Sequence, residues 1–222
     1  MHTPDVESVE SVETPAGPAR IIWHRPAGRA RCVLALGHGA GGGITARDLA
    51  ALAEALPGRE VGVALVEQPW RVAGKKIAPA PKTLDTGWRA VWPRLAAPGL
   101  PVVAGGRSAG ARVACRTAPE LGAAAVLALA YPLHPPGRPE KSRYDELAGA
   151  ADVVPLLGVQ GGADPFGRPE EFPAERRPIE VPHADHAFAV PKRAPVTQEA
   201  ALARITGAVA EWLAGLGFAA PE

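Results

Sequence analysis

One serine stands among small residues in the stretch GGRSAG, where a β-branched run gives way to an alanine-rich segment. The spacing of Gly106, Ser108 and Gly110 at a strand-to-helix junction is typical of a nucleophile on a tight turn, because only small neighbours allow so close a backbone approach. A helix that begins there points its positive end at negative charge developing on a substrate. The pattern predicts Ser108 as a nucleophile, although a glycine-rich turn that only packs has the same composition.

A serine hydroxyl becomes a useful nucleophile when a base takes its proton and a third group orients that base. Asp164 follows the apolar run VVPLLGVQ, and His186 follows the shorter run PIEV. Because catalytic groups of parallel sheets gather at the carboxyl ends of strands, we expect both residues beside Ser108. The order serine, acid, histidine predicts a Ser108–Asp164–His186 triad. His183, three positions earlier, is the rival base.

The run LALGHGAGGG, residues 34–43, ends an apolar strand in a loop with few side chains to cover its backbone N–H groups. We expect the N–H groups of Ala40 and Ala109 to form an oxyanion hole. A phosphate-binding glycine loop is the alternative, but the run lacks a Gly-Lys-Ser/Thr ending and a GxGxxG fingerprint. His38 is expected to stabilise the loop.

Five further residues are candidates for substrate binding: Trp70, Arg71, Arg107, His134 and Tyr144. The first two belong to a basic loop, residues 68–82, which either lines the pocket or covers an edge of the sheet. Arg107, inside the elbow, either meets an acidic substrate or forms a structural ion pair. The last two follow the strand after the elbow helix and are predicted on the rim of the pocket.

The segments around these residues alternate between strand and helix patterns, after two opening strands, VESVESVE and ARIIWH. Further strands are predicted at RCVLALG and at residues 61–66, 102–104, 124–130, 154–159 and 179–181. Helices are predicted at residues 45–56, with Thr45 as N-cap, and at 84–95, 109–117, 142–147 and 197–216. The alternation predicts an α/β fold: a mostly parallel sheet with helices on both faces, as one domain over residues 1–222.

Charge and composition argue against several kinds of partner. Lys+Arg number 24 and Asp+Glu 23, so no basic footprint for nucleic acid or an anionic membrane is visible. The acidic N-terminal segment has no signal-peptide pattern and no apolar run reaches membrane-spanning length, so a cytoplasmic location is expected. Cys32 and Cys115 fall in apolar segments without metal-ligand spacing. We expect both thiols to be buried and reduced, and we expect no metal and no cofactor.

Five motifs together, GHGAGGG, GGRSAGARVA, YPLHPPGRPEK, VQGGADPFG and HADHAF, resemble the small bacterial α/β hydrolases grouped with the KANL/Tex-type proteins. The resemblance covers the chain from about residue 19 to its C-terminus. It implies an α/β-hydrolase fold close in architecture to the dienelactone hydrolases, and a Ser108–Asp164–His186 triad. The elbow carries serine where true dienelactone hydrolases carry cysteine. Some proteins of the grouping are subunits of larger assemblies, not enzymes.

The connection at residues 131–152, after the strand that follows the elbow helix, is too short for a helical lid. An open site favours small-molecule esters over long acyl chains. The sequence therefore predicts a lidless serine hydrolase, carboxylesterase-like, that works through an acyl-enzyme intermediate. A thioesterase or peptidase is the alternative among enzymes, and a catalytically quiet interaction module is the alternative outside them.

Overall fold

The computed structural model describes residues 6–221, and a single sheet organises them. Its strands are β1 (Val6–Val12), β2 (Ala19–His24), β3 (Cys32–Gly37), β4 (Val61–Glu67), β5 (Val102–Arg107), β6 (Ala125–Leu129), β7 (Leu156–Gly161) and β8 (Ile179–Val181). They lie in the order β1-β2-β4-β3-β5-β6-β7-β8. The pairs β1–β2 and β2–β4 are antiparallel and every other pair is parallel. The predicted mostly parallel sheet with an antiparallel start is confirmed.

The helices are α1 (Arg47–Ala55), α2 (Pro69–Val72), α3 (Pro81–Ala96), α4 (Ala109–Leu121), α5 (Tyr144–Ala151) and α6 (Gln198–Gly215). The prediction of Thr45 as the N-cap of α1 is wrong, because Ala46 occupies the N-cap position and no side chain caps this helix. Helix α3 begins earlier than predicted, at Pro81, whose fixed φ suits the first helical position. Thr197 caps α6 and accepts a hydrogen bond from the Ala200 N–H at 3.1 Å.

Helices cover both faces of the sheet because its central strands are apolar on both faces. Successive side chains of a strand point to opposite faces. In β3, Val33 and Ala35 join the core beneath α3 and α4, whereas Leu34 and Leu36 join the core beneath α1 and α6. This double burial explains why the strand is a continuous apolar run in the sequence.

The two cysteines lie in the cores on opposite faces of the sheet, which rules out a disulfide between them. Both are free and buried, as predicted. Burial raises the pKa of the Cys32 thiol, and of the Cys115 thiol, to about 12. Both side chains are therefore neutral at physiological pH and serve as packing groups.

The connection between β6 and β7 leaves the carboxyl edge of the sheet uncovered. Its helix, α5, buries Leu147 and Ala150 in the core that also holds α3 and α4. A helix packed in this way against its neighbours cannot serve as a lid over the strand ends. Within residues 6–221, no helix is both long enough and apolar enough to cross a membrane.

Candidate active site

The turn between β5 and α4 holds Ser108 in an uncommon backbone conformation, with φ 53° and ψ −115°. A non-glycine residue there costs about 1–3 kcal/mol and persists only where its surroundings fix it. A Cβ added at Gly106 or at Gly110 would lie 2.4 Å from the carbonyl oxygen of Gly37, so both positions require glycine. The elbow is therefore pressed against the end of β3, with its serine at the carboxyl edge of the sheet.

The structure brings together the three residues that the sequence predicts as a triad. Ser108 Oγ lies 2.9 Å from His186 Nε2, and His186 Nδ1 lies 2.8 Å from Asp164 Oδ2. Because a carboxylate only accepts hydrogen bonds, Nδ1 carries the ring hydrogen and Nε2 offers its lone pair to the serine hydroxyl. This geometry suits transfer of the hydroxyl proton to the imidazole.

Asp164 is fully buried just after β7, where three donors fix its carboxylate. Besides His186, these are the Phe166 N–H, 2.8 Å from Oδ1, and the Gln160 side-chain amide, 3.0 Å from Oδ2. Gln160 also donates to the Gly167 carbonyl at 2.8 Å and accepts from the Tyr131 N–H at 2.8 Å. Sequence analysis missed this residue, although a glutamine at the end of an apolar strand is a signal of a buried polar partner.

The loop after β8 presents His186 toward the elbow. The ring of Phe166 packs against the imidazole, with 4.2 Å between the ring centroids. The Asp185 carboxylate is exposed and accepts from two backbone N–H groups that follow it, at 2.8 Å each, which shapes the loop. The rival base, His183, is exposed, and the imidazole that Ser108 contacts belongs to His186.

The glycine-rich loop after β3 is anchored through His38. The imidazole is buried, its Nδ1 donates to the Gly39 carbonyl at 2.9 Å and its Nε2 accepts from the Gln68 N–H at 3.1 Å. Burial lowers the pKa of His38 and keeps the neutral ring that both hydrogen bonds require. The prediction that this residue stabilises the loop agrees with these contacts.

The two residues predicted for the oxyanion hole, Ala40 and Ala109, line the same small cavity behind the elbow. Ala109 is the first residue of α4, so its N–H has no acceptor within the helix. Ala40 also lines the open cleft of about 700 Å³ that contains Ser108 and His186. The two backbones therefore flank the space beside the serine.

Arg107 is nearly buried and connects three parts of the site. Its Nε donates to Asp48 Oδ2 in α1 at 3.1 Å, and its Nη2 donates to the His186 carbonyl at 2.6 Å. Burial raises the pKa of Asp48, and the guanidinium opposes that rise. The structural ion pair considered from the sequence is present, and the same guanidinium holds the histidine loop beside the elbow.

Replacing Arg107 with Lys is expected to lower kcat about 10- to 100-fold with little change in KM. A lysine ammonium cannot bind the Asp48 carboxylate and the His186 carbonyl together as the guanidinium does, so the His186 carbonyl loses its partner. Steady-state kinetics on a small ester measures both constants. Arg89→Lys, at an exposed ion pair with Glu120, is the matched control and should leave both unchanged. A higher KM at unchanged kcat would instead assign Arg107 to recognition of an acidic substrate.

The other predicted binding residues divide into two groups. Trp70 is buried in α2, with its ring 5.5 Å from that of His38, and it lines the small cavity. Arg71 lies beside Gly43 of the glycine-rich loop. The remaining two candidates, His134 and Tyr144, were predicted on the rim of the pocket. This prediction is wrong, because neither residue lines the cleft that contains Ser108.

Other contacts explain where His134 and Tyr144 lie. The imidazole of His134 binds Glu171 Oε2 at 2.8 Å and the Pro135 carbonyl at 2.9 Å. Tyr144 begins α5 and packs against the core beneath α3 and α4. The loop between β6 and α5 thus folds back on the protein and leaves the rim to Phe166 and the glycine-rich loop.

Residues 29–214 match the family model described as an alpha/beta hydrolase domain, and the chain therefore belongs to this family. Comparison of the sequence with curated proteins gives no significant match.

Several solved structures are similar in fold. An α/β serine hydrolase from Xanthomonas campestris, described as being without a lid, is 20% identical, with a TM-score of 0.72 over 97% of each chain. The dienelactone hydrolase of Anabaena variabilis is 21% identical, with a TM-score of 0.69 over 96% of this chain and 99% of that one. Esterase 2 of Thermogutta terrifontis, phosphonylated by cyclosarin, is 20% identical, with a TM-score of 0.66 over 99% and 98%.

Proposed function

We propose that this chain is a serine carboxylesterase that cleaves small esters through an acyl-enzyme intermediate, with Ser108, His186 and Asp164 as its catalytic residues. The observation that carries the proposal is the continuous hydrogen-bonded chain from the buried carboxylate to the serine hydroxyl. It ends on a strained elbow that faces an open cleft, which is where a substrate carbonyl has access to Oγ.

Acylation begins when Ser108 Oγ attacks the ester carbonyl carbon and its proton passes to His186 Nε2. The carbonyl oxygen becomes an oxyanion, which the N–H groups of Ala40 and Ala109 stabilise. Asp164 stabilises the imidazolium and holds its ring in place. The bond to the alkoxy oxygen then breaks, His186 gives its proton to that oxygen, and an alcohol leaves.

Deacylation repeats these steps with water as the nucleophile. His186 accepts a water proton while the hydroxide oxygen attacks the acyl carbon, and the second tetrahedral intermediate collapses. Ser108 Oγ leaves, recovers its proton from the imidazolium and releases a carboxylic acid. This chain's residues supply every proton transfer, so the scheme uses no metal and no cofactor.

Small soluble esters suit the site better than lipids. The connection between β6 and β7 packs against the sheet, and the cleft lacks a deep apolar wall against which a long chain is buried. The Xanthomonas structure without a lid supports the same conclusion.

We further propose a cytoplasmic protein of one domain without a nucleic-acid or membrane partner. The narrower resemblance to the KANL/Tex-type grouping stays a prediction.

A matched pair of substrates tests the reaction class, because p-nitrophenyl acetate and 4-nitroacetanilide share an acyl group and an aromatic ring. We expect turnover of the ester with kcat of about 1 s⁻¹ or more and a rate on the anilide at least about 10³-fold lower, since an anilide is intrinsically less reactive and its nitrogen must be protonated to leave. Comparable rates would favour a peptidase, and a preference for S-aryl thioacetate a thioesterase. No turnover of any of the three would favour the quiet interaction module.

A further inference from the structure

The histidine loop, residues 182–190 between β8 and α6, is joined to the first turn of α1 by a bridge through Arg107. The guanidinium donates to Asp48 Oδ2 through Nε, at 3.1 Å, and to the His186 carbonyl through Nη2, at 2.6 Å. Asp48 is the second residue of α1 and is fully buried. The carboxylate and the backbone of the catalytic base are therefore held by the same guanidinium.

The preceding residue of α1 makes a second bridge to the same loop. Arg47 Nη1 donates to Gln198 Oε1 at 2.6 Å. Gln198, the first residue of α6, accepts from the Val190 N–H at 3.1 Å and donates to the Phe188 carbonyl at 2.8 Å. Two consecutive residues of one helical turn are therefore linked to the histidine loop at separate points, and the first bridge ends on the catalytic residue itself.

The bridge through Arg107 depends on the charge of Asp48. The side chains of this ion pair are 9% and 0% exposed, and no other carboxylate among the described side chains pairs with Arg107. Loss of one partner of a buried ion pair leaves the other charge uncompensated, and that charge is then drawn toward water. Without the carboxylate, the guanidinium is expected to turn into the open cleft, which it already lines, and to release the His186 carbonyl.

Proton transfer requires the backbone of His186 to stay in place. Its imidazole contacts two groups that belong to other segments: Ser108 Oγ on the elbow, at 2.9 Å, and Asp164 Oδ2 after β7, at 2.8 Å. A shift of the loop lengthens at least one of these contacts. A misplacement of about 1 Å by a change outside the reacting groups can cost about 10²-fold in rate.

We propose that Asp48 is a positioning residue for the catalytic base, and that it acts through Arg107 to hold the backbone of His186. This inference rests on the proposed function and adds to it a residue that does not line the cleft. Asp48 touches neither the substrate nor a reacting atom. Its loss therefore lowers kcat and leaves KM nearly unchanged.

The variant Asp48→Asn removes the charge and keeps the shape of the side chain. We expect kcat for p-nitrophenyl acetate to fall about tenfold or more and KM to change less than about twofold. Steady-state kinetics and the melting temperature should be measured together. An unchanged kcat, or a higher KM at unchanged kcat, would overturn the proposal.

Asp85→Asn is the matched control for this change. Asp85 of α3 is also a nearly buried carboxylate, and Arg116 of α4 donates to it at 2.9 and 2.6 Å. Neither residue of this pair borders the cleft that contains Ser108. We expect Asp85→Asn to lower the melting temperature, as Asp48→Asn does, and to keep the wild-type kcat. Equal losses of kcat in the two variants would contradict the proposal.

A double-mutant cycle tests whether Asp48 acts through Arg107. Arg107→Met removes the guanidinium and is expected to lower kcat at least as much as Asp48→Asn does. Once the guanidinium is gone, Asp48→Asn should lower kcat no further, so the double variant should keep the rate of Arg107→Met within about twofold. It should also melt at a higher temperature than Arg107→Met, because it no longer buries an unpaired carboxylate. Losses of kcat that multiply in the double variant would overturn the proposal.

Hydrogen exchange of the backbone amides reports on the histidine loop directly and does not require turnover. We expect the amides of residues 182–190 to exchange at least about threefold faster in Asp48→Asn than in the wild type, because the loop has lost an anchor. In Asp85→Asn the amides of α3 should exchange faster and those of the histidine loop should not. Unchanged exchange of the histidine loop in Asp48→Asn would overturn the proposal.

The positioning role and the proposed function fail in different ways. Absence of ester turnover in the wild-type protein would overturn the carboxylesterase function, and hydrogen exchange would still decide whether Asp48 holds the histidine loop. Ester turnover that depends on Ser108 but is unaffected by Asp48→Asn would overturn the positioning role and leave the carboxylesterase function standing.

Discussion

Replacing Ser108 with Ala is expected to lower kcat for p-nitrophenyl acetate by about 10⁵- to 10⁶-fold, because loss of the nucleophile removes the action of the whole triad. A small residual rate should persist from binding and from the oxyanion hole. Steady-state release of p-nitrophenol, measured against a buffer blank, gives the ratio. The variant should fold normally, since the change removes only the hydroxyl oxygen and keeps the Cβ that the elbow already accommodates.

An exposed serine provides the control for this change. Ser11 lies on β1, at the edge of the sheet, and Ser11→Ala should keep the full rate. A loss shared by both variants would indicate a general effect on the protein. Retention of even one tenth of the wild-type rate by Ser108→Ala would place the nucleophile elsewhere.

The second large effect is expected for Asp164→Asn, with a loss of kcat of about 10⁴-fold. An amide nitrogen at the position of Oδ2 would donate to His186 Nδ1 and force the ring hydrogen onto Nε2. That hydrogen would then point at Ser108 Oγ, so the imidazole could not accept the hydroxyl proton. The Phe166 N–H still finds an oxygen at the Oδ1 position, which favours retention of the loop geometry, whereas the Gln160 amide loses its acceptor at Oδ2.

Steady-state kcat and the melting temperature should be measured together for this variant. Asp152→Asn, at an exposed ion pair with Arg176, is the matched control and should affect neither quantity appreciably. A loss of activity below tenfold in folded Asp164→Asn would show that another group orients His186.

Much of the fold could be predicted because its signals are local. The apolar run of β3 and the helical spacing of α6 reflect burial within each segment, and the order of Ser108, Asp164 and His186 follows the order of the strands that carry them. The error at Thr45 is also local: the helix begins one residue later than the side chain would require for capping.

The parts that the sequence did not predict depend on contacts between distant segments. Gln160 accepts a hydrogen bond from the Tyr131 N–H in the loop after β6, and Asp48 meets Arg107 across the gap between α1 and β5. The small cavity behind the elbow exists only where α2, α3 and α4 converge, at Trp70, Leu84 and Val113. No residue spacing within one segment predicts these contacts, because they form only when distant segments pack together.

The most direct test of the central claim, that His186 and Asp164 activate Ser108 as a nucleophile, is the intact mass of the protein after reaction with diisopropyl fluorophosphate. Attack of Ser108 Oγ on phosphorus, with loss of fluoride and of the hydroxyl proton, should add one diisopropylphosphoryl group to the wild-type protein. The result is independent of the natural substrate. The account predicts one adduct on the wild type and none on Ser108→Ala, whereas an unmodified wild type, or an equal adduct on both proteins, would contradict it.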